Sequence, residues 1–258
     1  ADGYTLLQAP RPAQQLIHIH AGAEELGRVY QADLLINTGM PEFAAAARKL
    51  PPLKPAWAEW TRGARADLEA WQKPVKVPGN VNMSEIVGWL NKRLPSDAII
   101  TNGAGNFSLW VHRFYRYGGF RTQLAPTSGA MGYGVPSGVG AAMIHPNRTV
   151  ISFAGDGDFL MTGQELATAA QYDAKLIFIV VNNGMYGTIR MHQEREYPVR
   201  VYGTALTNPD FAALARAYGA HGEVVEDTAQ FAAAFERSRA SGKPALIELR
   251  VDPQAITT

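Results

Sequence analysis

The stretch Thr149–Gly187 reads TVISFAGDGDFLMTGQELATAAQYDAKLIFIVVNNGMYG, and it decides the fold. It contains two short apolar runs rich in β-branched residues, Thr149–Ala154 and Leu176–Val181. Runs of this kind, bounded by Gly and Asn, are typical of strands buried on both faces of a parallel sheet. The residues between them predict a helix over Thr162–Tyr172. The stretch therefore reads as strand, helix, strand.

Polar residues follow each of the two predicted strands directly. Gly155-Asp156-Gly157 ends the first and Asn182-Asn183 ends the second, with 24 residues between the two groups. Because open α/β sheets bind ligands at the carboxyl ends of their strands, we expect Asp156 and Asn183 to face one crevice. Carboxylate and carboxamide oxygens suit Mg²⁺, which usually shares its ligands with substrate phosphates. Either feature alone is also typical of an ordinary turn.

Helices and strands alternate regularly beyond Asn82, which indicates a parallel sheet covered on both faces. We predict an α/β domain over residues 82–258 with a parallel sheet of about six strands and helices on both faces. Asn208-Pro209 is interpreted as the cap of the helix predicted over Asp210–Tyr218. The further predicted elements are helices Ser84–Leu94, one beginning near Asn106, Gly132–Ile144, Asp210–Tyr218 and Thr228–Arg239, and strands Ala98–Thr101, Gly222–Val225 and Ala245–Val251.

The sequence of the N-terminal part predicts two strands, Leu16–His20 and Leu34–Asn37, and a helix over Pro41–Leu50. Two short strands cannot cover their own faces. We therefore interpret residues 1–55 as the remnant of a larger central α/β domain, and the Pro-containing residues 56–81 as a linker.

Composition excludes several classes of function. The 258 residues carry a net charge of +1 without a basic run, which argues against binding to nucleic acid or anionic membranes. No segment approaches the roughly 18 apolar residues of a membrane helix. The absence of Cys removes disulfides, thiolate metal sites and Cys nucleophiles, and it fits a reducing, cytoplasmic location.

The Gly-Asp-Gly to Asn-Asn spacing resembles the diphosphate-binding signature of thiamine-diphosphate (ThDP) enzymes. Neighbouring residues narrow the resemblance to the acetolactate synthase, pyruvate oxidase and benzoylformate decarboxylase group. It implies that Asp156 and Asn183 bind Mg²⁺ through their side chains and Met185 through its backbone carbonyl. The residues that it places around the diphosphate are Gly155, Gly157, Asp158, Tyr186 and Gly187.

The loop Ser128–Gly134 (SGAMGYG) resembles the family segment that holds the aminopyrimidine ring of ThDP. The resemblance implies that the Gly129 carbonyl accepts from the 4′-amino group and that Met131 lies beneath the cofactor. The alternative is a Gly-rich turn that opens a helix, with Met131 filling the core.

Two further segments resemble the family less closely. Asn106 falls in a loop that touches the diphosphate, where acetolactate synthases carry Gly-Gln-His-Gln; its alternative is a helix N-cap. Ile189 falls where pyruvate decarboxylases place a catalytic Glu, so that acid–base group is absent. His192 and Glu194 follow in a region that lines the family's substrate pocket, and their alternative is an exposed polar helix face.

The family's activating Glu lies on a separate pyrimidine domain, and nothing in residues 1–258 resembles that domain. The chain therefore resembles the C-terminal half of a longer enzyme. We expect it to bind ThDP and Mg²⁺ weakly and not to turn over alone, since the site needs a pyrimidine domain from elsewhere in the protein or from another subunit. An apolar face left near Met131 and Tyr133 predicts a homo-oligomer.

The resemblance implies decarboxylation or ligation of a 2-oxo acid such as pyruvate, most like acetolactate synthase. The alternatives are a 2-oxo acid decarboxylase of benzoylformate type and a non-catalytic cofactor-binding fragment. A Mg²⁺-nucleotide protein is disfavoured because the sequence lacks a Gly-x-x-x-x-Gly-Lys-Ser/Thr loop.

Overall fold

The computed structural model describes residues 7–256, and the chain divides into two compact units between Arg62 and Gly63. In the first unit two strands pair in parallel with Ile17 opposite Leu34, and both side chains remain about half exposed. Its elements are β1 (Ile17–His20), a 3-10 turn (Ala23–Glu25), β2 (Leu34–Asn37) and α1 (Met40–Ala47); the division falls inside α2 (Ala58–Trp71). The assignment of residues 1–55 to a domain remnant stays a prediction.

The second unit contains a six-stranded sheet within the described residues, and each neighbouring pair of strands in it is parallel. The order is β4-β3-β5-β6-β8-β7. Its elements are α3 (Met83–Arg93), β3 (Ile99–Asn102), α4 (Asn106–Phe114), β4 (Gln123–Leu124), α5 (Gly134–Ile144), β5 (Val150–Gly155), α6 (Asp156–Thr162), α7 (Glu165–Gln171), β6 (Ile177–Asn182), α8 (Gly187–Glu196), α9 (Phe211–Ala217), β7 (His221–Val225), α10 (Thr228–Ala240) and β8 (Ala245–Arg250). The predicted parallel α/β fold is confirmed.

Side chains along a strand alternate between the two faces of the sheet, and helices cover both faces. Ile177 and Ile179 of β6 pack with apolar residues of α3, α4 and α10. Phe178 and Val180 face the other way and pack with residues of α5, α6, α7 and α9. This arrangement explains why β5 and β6 are predominantly apolar on both faces, and it confirms the prediction of helices on both faces of the sheet.

The start of α5 is anchored on the sheet beside the strand ends. The hydroxyls of Thr101 and Ser152 both donate to the Gly134 carbonyl, at 2.8 and 2.9 Å. A Cβ at Gly134 would lie 2.6 Å from the Gly103 backbone nitrogen. Only Gly allows this approach, which fixes the preceding loop Ser128–Gly134 against the carboxyl end of the sheet.

The structure differs from the prediction around two helices. The predicted helix Thr162–Tyr172 corresponds to α7, which begins at Glu165 and ends at Gln171. The separate helix α6, which forms directly after β5, was not predicted. Phe159 draws α6 onto the core, where its ring contacts the rings of Phe178 and Phe211 edge-on. The predicted cap of α9 is wrong. Asp210 caps α9, its side chain accepting from the Ala213 amide at 2.7 Å, and it leaves Asn208 free for other contacts.

Two smaller features complete the comparison with the sequence. Asn82 caps α3, with its side-chain oxygen accepting from the Ser84 and Glu85 amides. The two-residue strand β4 at the sheet edge is not evident from the sequence. In the part of the chain that the structure covers, no helix is both long and apolar enough to cross a membrane.

Candidate functional site

A cleft of about 230 Å³ opens at the carboxyl ends of β3, β5 and β6. It brings together the predicted cofactor- and metal-binding residues: Asn106, Gly129, Met131, Gly155, Asp156, Gly157, Asp158, Asn183, Met185, Tyr186 and Gly187. One wall is apolar, and sequence reasoning did not anticipate it; it is formed by Val77, Val81, Met83, Trp110, Val181, Val251 and Ile256. A polar floor beside an apolar wall is typical of small-molecule and cofactor sites.

Asp156 lies at the junction of β5 and α6, and its side chain is held by the backbone on both sides. Oδ1 accepts from the Gly157 amide at 3.0 Å. Oδ2 accepts from the Gly184 amide at 2.8 Å and from Asn208 Nδ2 at 2.7 Å. Burial raises the pKa of Asp156, and the bond from Asn208 opposes that shift. The carboxylate therefore links the ends of β5 and β6.

The two Asn residues at the end of β6, Asn182 and Asn183, point in different directions. Asn183 lines the cleft, and its side-chain oxygen accepts from the Met185 amide at 3.2 Å. Asn182 turns away and donates to Glu248 Oε1 at 2.8 Å. Gly184, between Asn183 and Met185, has φ of +71°, a backbone conformation that Gly adopts without strain. This reversal turns the Asn183 side chain and the Met185 segment toward the same cleft.

An extended segment containing Thr204 and Leu206 hydrogen-bonds to this turn. The Tyr186 amide donates to the Thr204 carbonyl at 2.8 Å, and the Leu206 amide donates to the Gly184 carbonyl at 2.9 Å. A Cβ at Gly157 would collide with the Tyr186 ring, so the Gly at this position permits Tyr186 to close over α6. The turn is thus fixed from both sides.

The Asp158 side chain joins the two Gly-rich loops that border the cleft. Oδ1 accepts from the Gly132 amide at 2.6 Å and from the Ala104 amide at 3.3 Å. Oδ2 is buried without a hydrogen-bond partner among the described residues. Burial raises the pKa of Asp158 to about 6. The resemblance placed Asp158 only beside the diphosphate, and the role of its carboxyl group in joining the two loops was missed.

Asn106 and Thr188 form a reciprocal pair between α4 and α8. The Thr188 hydroxyl accepts from the Asn106 amide at 3.0 Å and donates to Asn106 Oδ1 at 2.9 Å. Gly105, with φ of +149°, is the N-cap residue of α4, so the interpretation of Asn106 as a helix cap is wrong. Thr188 was missed because nothing local in the sequence pairs it with a residue 82 positions away.

The later part of α8 leaves the cleft. His192 and Glu194 are exposed; His192 contacts Arg195, and Glu194 pairs with Arg190 at 3.0 Å. Their interpretation as an exposed polar helix face is the one that fits the structure. Ile189, one turn earlier, does line the cleft.

The charges in the cleft are all negative. Among the described residues its lining includes Asp156 and Asp158 but no Lys, Arg or His. No group of three or more His, Cys, Asp and Glu in residues 7–256 could hold a metal. A cation here would rest on carboxylate, carboxamide and carbonyl oxygens, which is the ligand chemistry of Mg²⁺. Asp156 Oδ1 accepts from the backbone and, among the described residues, from no side chain, so the residues fit Mg²⁺.

Comparison with known proteins gives a family match over most of the second unit. The family described as "Thiamine pyrophosphate enzyme, C-terminal TPP binding domain" matches residues 103–249. This range contains the Gly-rich loops, both strand-end motifs and all of β4 to β7.

Relatives from bacteria extend the similarity across nearly the whole chain. The acetolactate synthase isozyme 2 large subunit of Escherichia coli (strain K12) is 29% identical over 246 residues, which are 93% of this chain and 44% of that protein. The acetolactate synthase large subunit of Lactococcus lactis subsp. lactis (strain IL1403) is 29% identical over 205 residues, 78% of this chain and 36% of that protein. This chain therefore spans less than half the length of these relatives.

A solved structure shows the same fold. The thiamine diphosphate-dependent 4-hydroxybenzoylformate decarboxylase of Rhodococcus jostii RHA1 matches with a TM-score of 0.75 and 26% sequence identity. The match covers 93% of this chain and 45% of that one.

Proposed function

Because this chain belongs to the thiamine pyrophosphate enzyme family, whose C-terminal TPP-binding domain it carries, we propose that its cleft holds ThDP together with Mg²⁺. The observation that carries the proposal is the meeting of Asp156 and Asn183 at the ends of two neighbouring strands. Gly129 and Met131, from a separate loop, line the same cleft. A site that binds only Mg²⁺ and a diphosphate does not require a second loop, whereas a cofactor with an additional ring does.

The metal would be held by Asp156, by the side-chain oxygen of Asn183 and by the backbone carbonyl of Met185. The charges in the cleft support this assignment. A diphosphate brings further negative charge beside Asp156 and Asp158, and no basic side chain in the described lining offsets it. A divalent cation between the carboxylate and the phosphate oxygens removes this repulsion.

The remaining candidate residues would contact the organic cofactor itself. Backbone groups of the two strand-end turns would hold the diphosphate, while Gly129 and Met131 would position the aminopyrimidine ring. A Cβ at Gly129 would meet nothing within 4 Å, so the cleft has open space beside this residue. The residues assigned to the diphosphate are Asn106, Gly155, Gly157, Asp158, Tyr186 and Gly187.

We infer that the whole protein is an enzyme of 2-oxo acid chemistry, most similar to acetolactate synthase, with pyruvate as a candidate substrate. ThDP, when bound, supplies a carbon nucleophile for the keto group of such acids. The part of this chain is to anchor the cofactor and to keep water from one side of it with the apolar wall. A decarboxylase is the second candidate, favoured by the fold match to a 4-hydroxybenzoylformate decarboxylase.

Completion of the site would require a pyrimidine domain from elsewhere in the protein or from another subunit, in a homo-oligomer. Residues 1–258 alone would then bind the cofactor without turnover, and a cytoplasmic location fits this chemistry. An ordinary enzymatic rate of pyruvate decarboxylation by the isolated chain would contradict this part of the proposal.

Calorimetric titration with ThDP, in Mg²⁺ and then in EDTA, tests the binding proposal. We expect saturable binding that requires the metal and that is lost in Asp156→Asn, which removes the anionic ligand at constant size. Asp210→Asn is the matched control, since Asn also caps helices and Asp210 lies outside the cleft lining. Tighter binding of ATP than of ThDP, or binding independent of Mg²⁺, would overturn the proposal.

A further inference from the structure

Asn208 lies outside the two strand-end motifs, yet its side chain takes part in a polar network with residues of both. It lies in the loop before α9, 52 positions from Asp156. Its side-chain nitrogen lies between two acceptors, Asp156 Oδ2 at 2.7 Å and Asn182 Oδ1 at 2.8 Å. One amide group therefore reaches the end of β5 and the end of β6 at once.

The rest of the network fixes which way each amide points. Asn182 donates its nitrogen to Glu248 Oε1 at 2.8 Å, and Glu248 on β8 is 1% exposed. Arg250 Nε donates to the same Glu248 oxygen at 3.2 Å. Because Glu248 takes the Asn182 nitrogen, Asn182 must present its oxygen to Asn208. Asn208 must then present its nitrogen to both of its acceptors.

This arrangement controls which oxygen of Asp156 remains available. Oδ2 accepts from Asn208 and from the Gly184 amide, which together use both of its lone pairs. Oδ1 accepts from the Gly157 amide and, unlike Oδ2, from no side chain among the described residues. The Met185 amide also acts on this carboxyl group, so Oδ1 is held by backbone groups alone and faces the cleft side of the turn. These hydrogen bonds fix the rotation of the Asp156 carboxyl group about its Cβ–Cγ bond.

We propose that Asn208 is a positioning residue that orients the Asp156 carboxylate so that Oδ1 is presented to a divalent cation. The inference rests on the proposed function, which places Mg²⁺ at Asp156. Groups that hydrogen-bond to metal-binding carboxylates fix the ligand, and their loss typically weakens metal affinity about 10- to 100-fold.

A purely structural role as a helix cap is already filled by another residue, since the Asp210 side chain caps α9. This gives a matched control. Asp210→Ala removes a side chain two positions away and weakens α9 without touching the network. Asn208→Ala removes the donor, and Asn208→Asp keeps the shape but replaces the donor with an acceptor and a negative charge beside Asp156.

The experiment is a titration of the full chain with Mg²⁺ at saturating ThDP, alongside thermal unfolding in EDTA. We expect Asn208→Ala to raise the Kd for Mg²⁺ about 10- to 100-fold and Asn208→Asp to raise it further. Asp210→Ala should lower the unfolding temperature and leave the Kd for Mg²⁺ unchanged. Thermal unfolding in EDTA identifies any variant that has lost its fold.

The possible failures are distinguishable. If the wild-type chain shows no Mg²⁺-dependent ThDP binding, the proposed function falls and the role of Asn208 falls with it. If the wild type binds but Asn208→Ala or Asn208→Asp binds Mg²⁺ equally well, only the positioning role is overturned. A Kd raised to the same extent in Asp210→Ala as in Asn208→Ala would also overturn it, because the effect would then be general destabilisation.

Discussion

Asp158 Oδ1 and the Gly132 amide nitrogen are 2.6 Å apart, and this hydrogen bond ties the loop before α5 to the start of α6. The same oxygen accepts from the Ala104 amide at 3.3 Å, and a Cβ at Gly103 would collide with the carboxyl group. Both Gly-rich loops are therefore built around one buried side chain. The shape of the cleft depends on it.

Removal of this side chain is expected to destabilise the protein. Asp158→Ala leaves the buried Gly132 amide and the partly buried Ala104 amide unpaired, at a cost of about 1–3 kcal/mol in the free energy of unfolding. Asp158→Asn keeps an acceptor at the Oδ1 position and should retain most of that stability. Urea unfolding of the two variants measures the difference. Equal stability of Ala and Asn at this position would show that the amides find other partners.

Two glycines of α5, one at its start and one in its middle, should respond oppositely to the same substitution. Gly134→Ala would place a Cβ 2.6 Å from the Gly103 nitrogen and 2.9 Å from the Phe153 carbonyl oxygen, so the backbone must shift. Such overpacking costs about 1–3 kcal/mol or more. Gly140→Ala meets nothing within 4 Å and should stabilise the helix by up to about 1 kcal/mol. Thermal unfolding compares them, and similar melting temperatures would contradict the close packing of α5 on the sheet.

The hydroxyl of Thr188 is expected to matter more than its size. Thr188→Val leaves the Asn106 amide and Oδ1 without their partner, which costs about 1–3 kcal/mol. Thr188→Ser keeps the hydroxyl and should cost less. Chemical denaturation gives the stabilities, and ThDP titration reports any loosening of the cleft. If Ser and Val were equally destabilising, the hydrogen bonds would not be the cause.

Glu223 should make stability depend on pH in the acid range. Its bonds from Arg237, at 2.7 and 2.9 Å, and from His221 hold the pKa of Glu223 below its ordinary 4.5. A lowered folded-state pKa contributes stability above the unfolded-state pKa, and that contribution is lost as pH falls through the folded-state value. Glu223→Gln should be slightly less stable at pH 7, by about 1 kcal/mol or less, because Arg237 is largely exposed.

The measurement for Glu223 is urea unfolding between pH 7 and pH 3. The wild type should lose stability below its ordinary pKa of 4.5 more steeply than Glu223→Gln. Parallel curves for the two proteins would mean that other carboxyl groups dominate the acid response.

Self-association is expected through the apolar surface beside the cleft. Tyr133, Leu160 and Met161 are 37, 45 and 48% exposed, and a Cβ at Gly132 would lie 3.1 Å from Met161 Cβ, so they form one patch. The double variant Leu160→Ser with Met161→Ser should weaken association. Ile144→Ser, at the other end of α5, is the control. A clean wild-type monomer at high concentration in analytical ultracentrifugation would contradict the expectation.

The sequence predicts the sheet well because buried strands give local signals, and it also shows which residues follow those strands. The strands β5 and β6 are predominantly apolar runs, and the residue directly after such a strand must lie at the carboxyl edge of the sheet. Asp156 and Asn183 could therefore be placed in one crevice without knowledge of the packing. The turn at Gly184 follows the same logic, since Gly after a strand indicates a reversal.

The residues that were missed act through distant partners. Asn208-Pro209 has the local pattern of a helix cap, yet Asn208 bonds to residues 26 and 52 positions away. Thr188 and the Asp158 carboxyl group likewise contact segments that only the folded sheet brings near. The break between α6 and α7 depends on how Phe159 packs against Phe178 and Phe211, and no periodicity in the sequence encodes that contact.

The cleft lining, in which Asp156 and Asp158 are the charged residues described, has a thermodynamic consequence. A diphosphate and a divalent cation that share such a site must each raise the affinity of the other by the same factor, because binding free energies are reciprocal. Loading would then follow the product of two concentrations and not that of the cofactor alone. A fall in free Mg²⁺ would release ThDP even where ThDP is abundant. The fraction of protein that carries the cofactor would therefore depend on the free Mg²⁺ concentration.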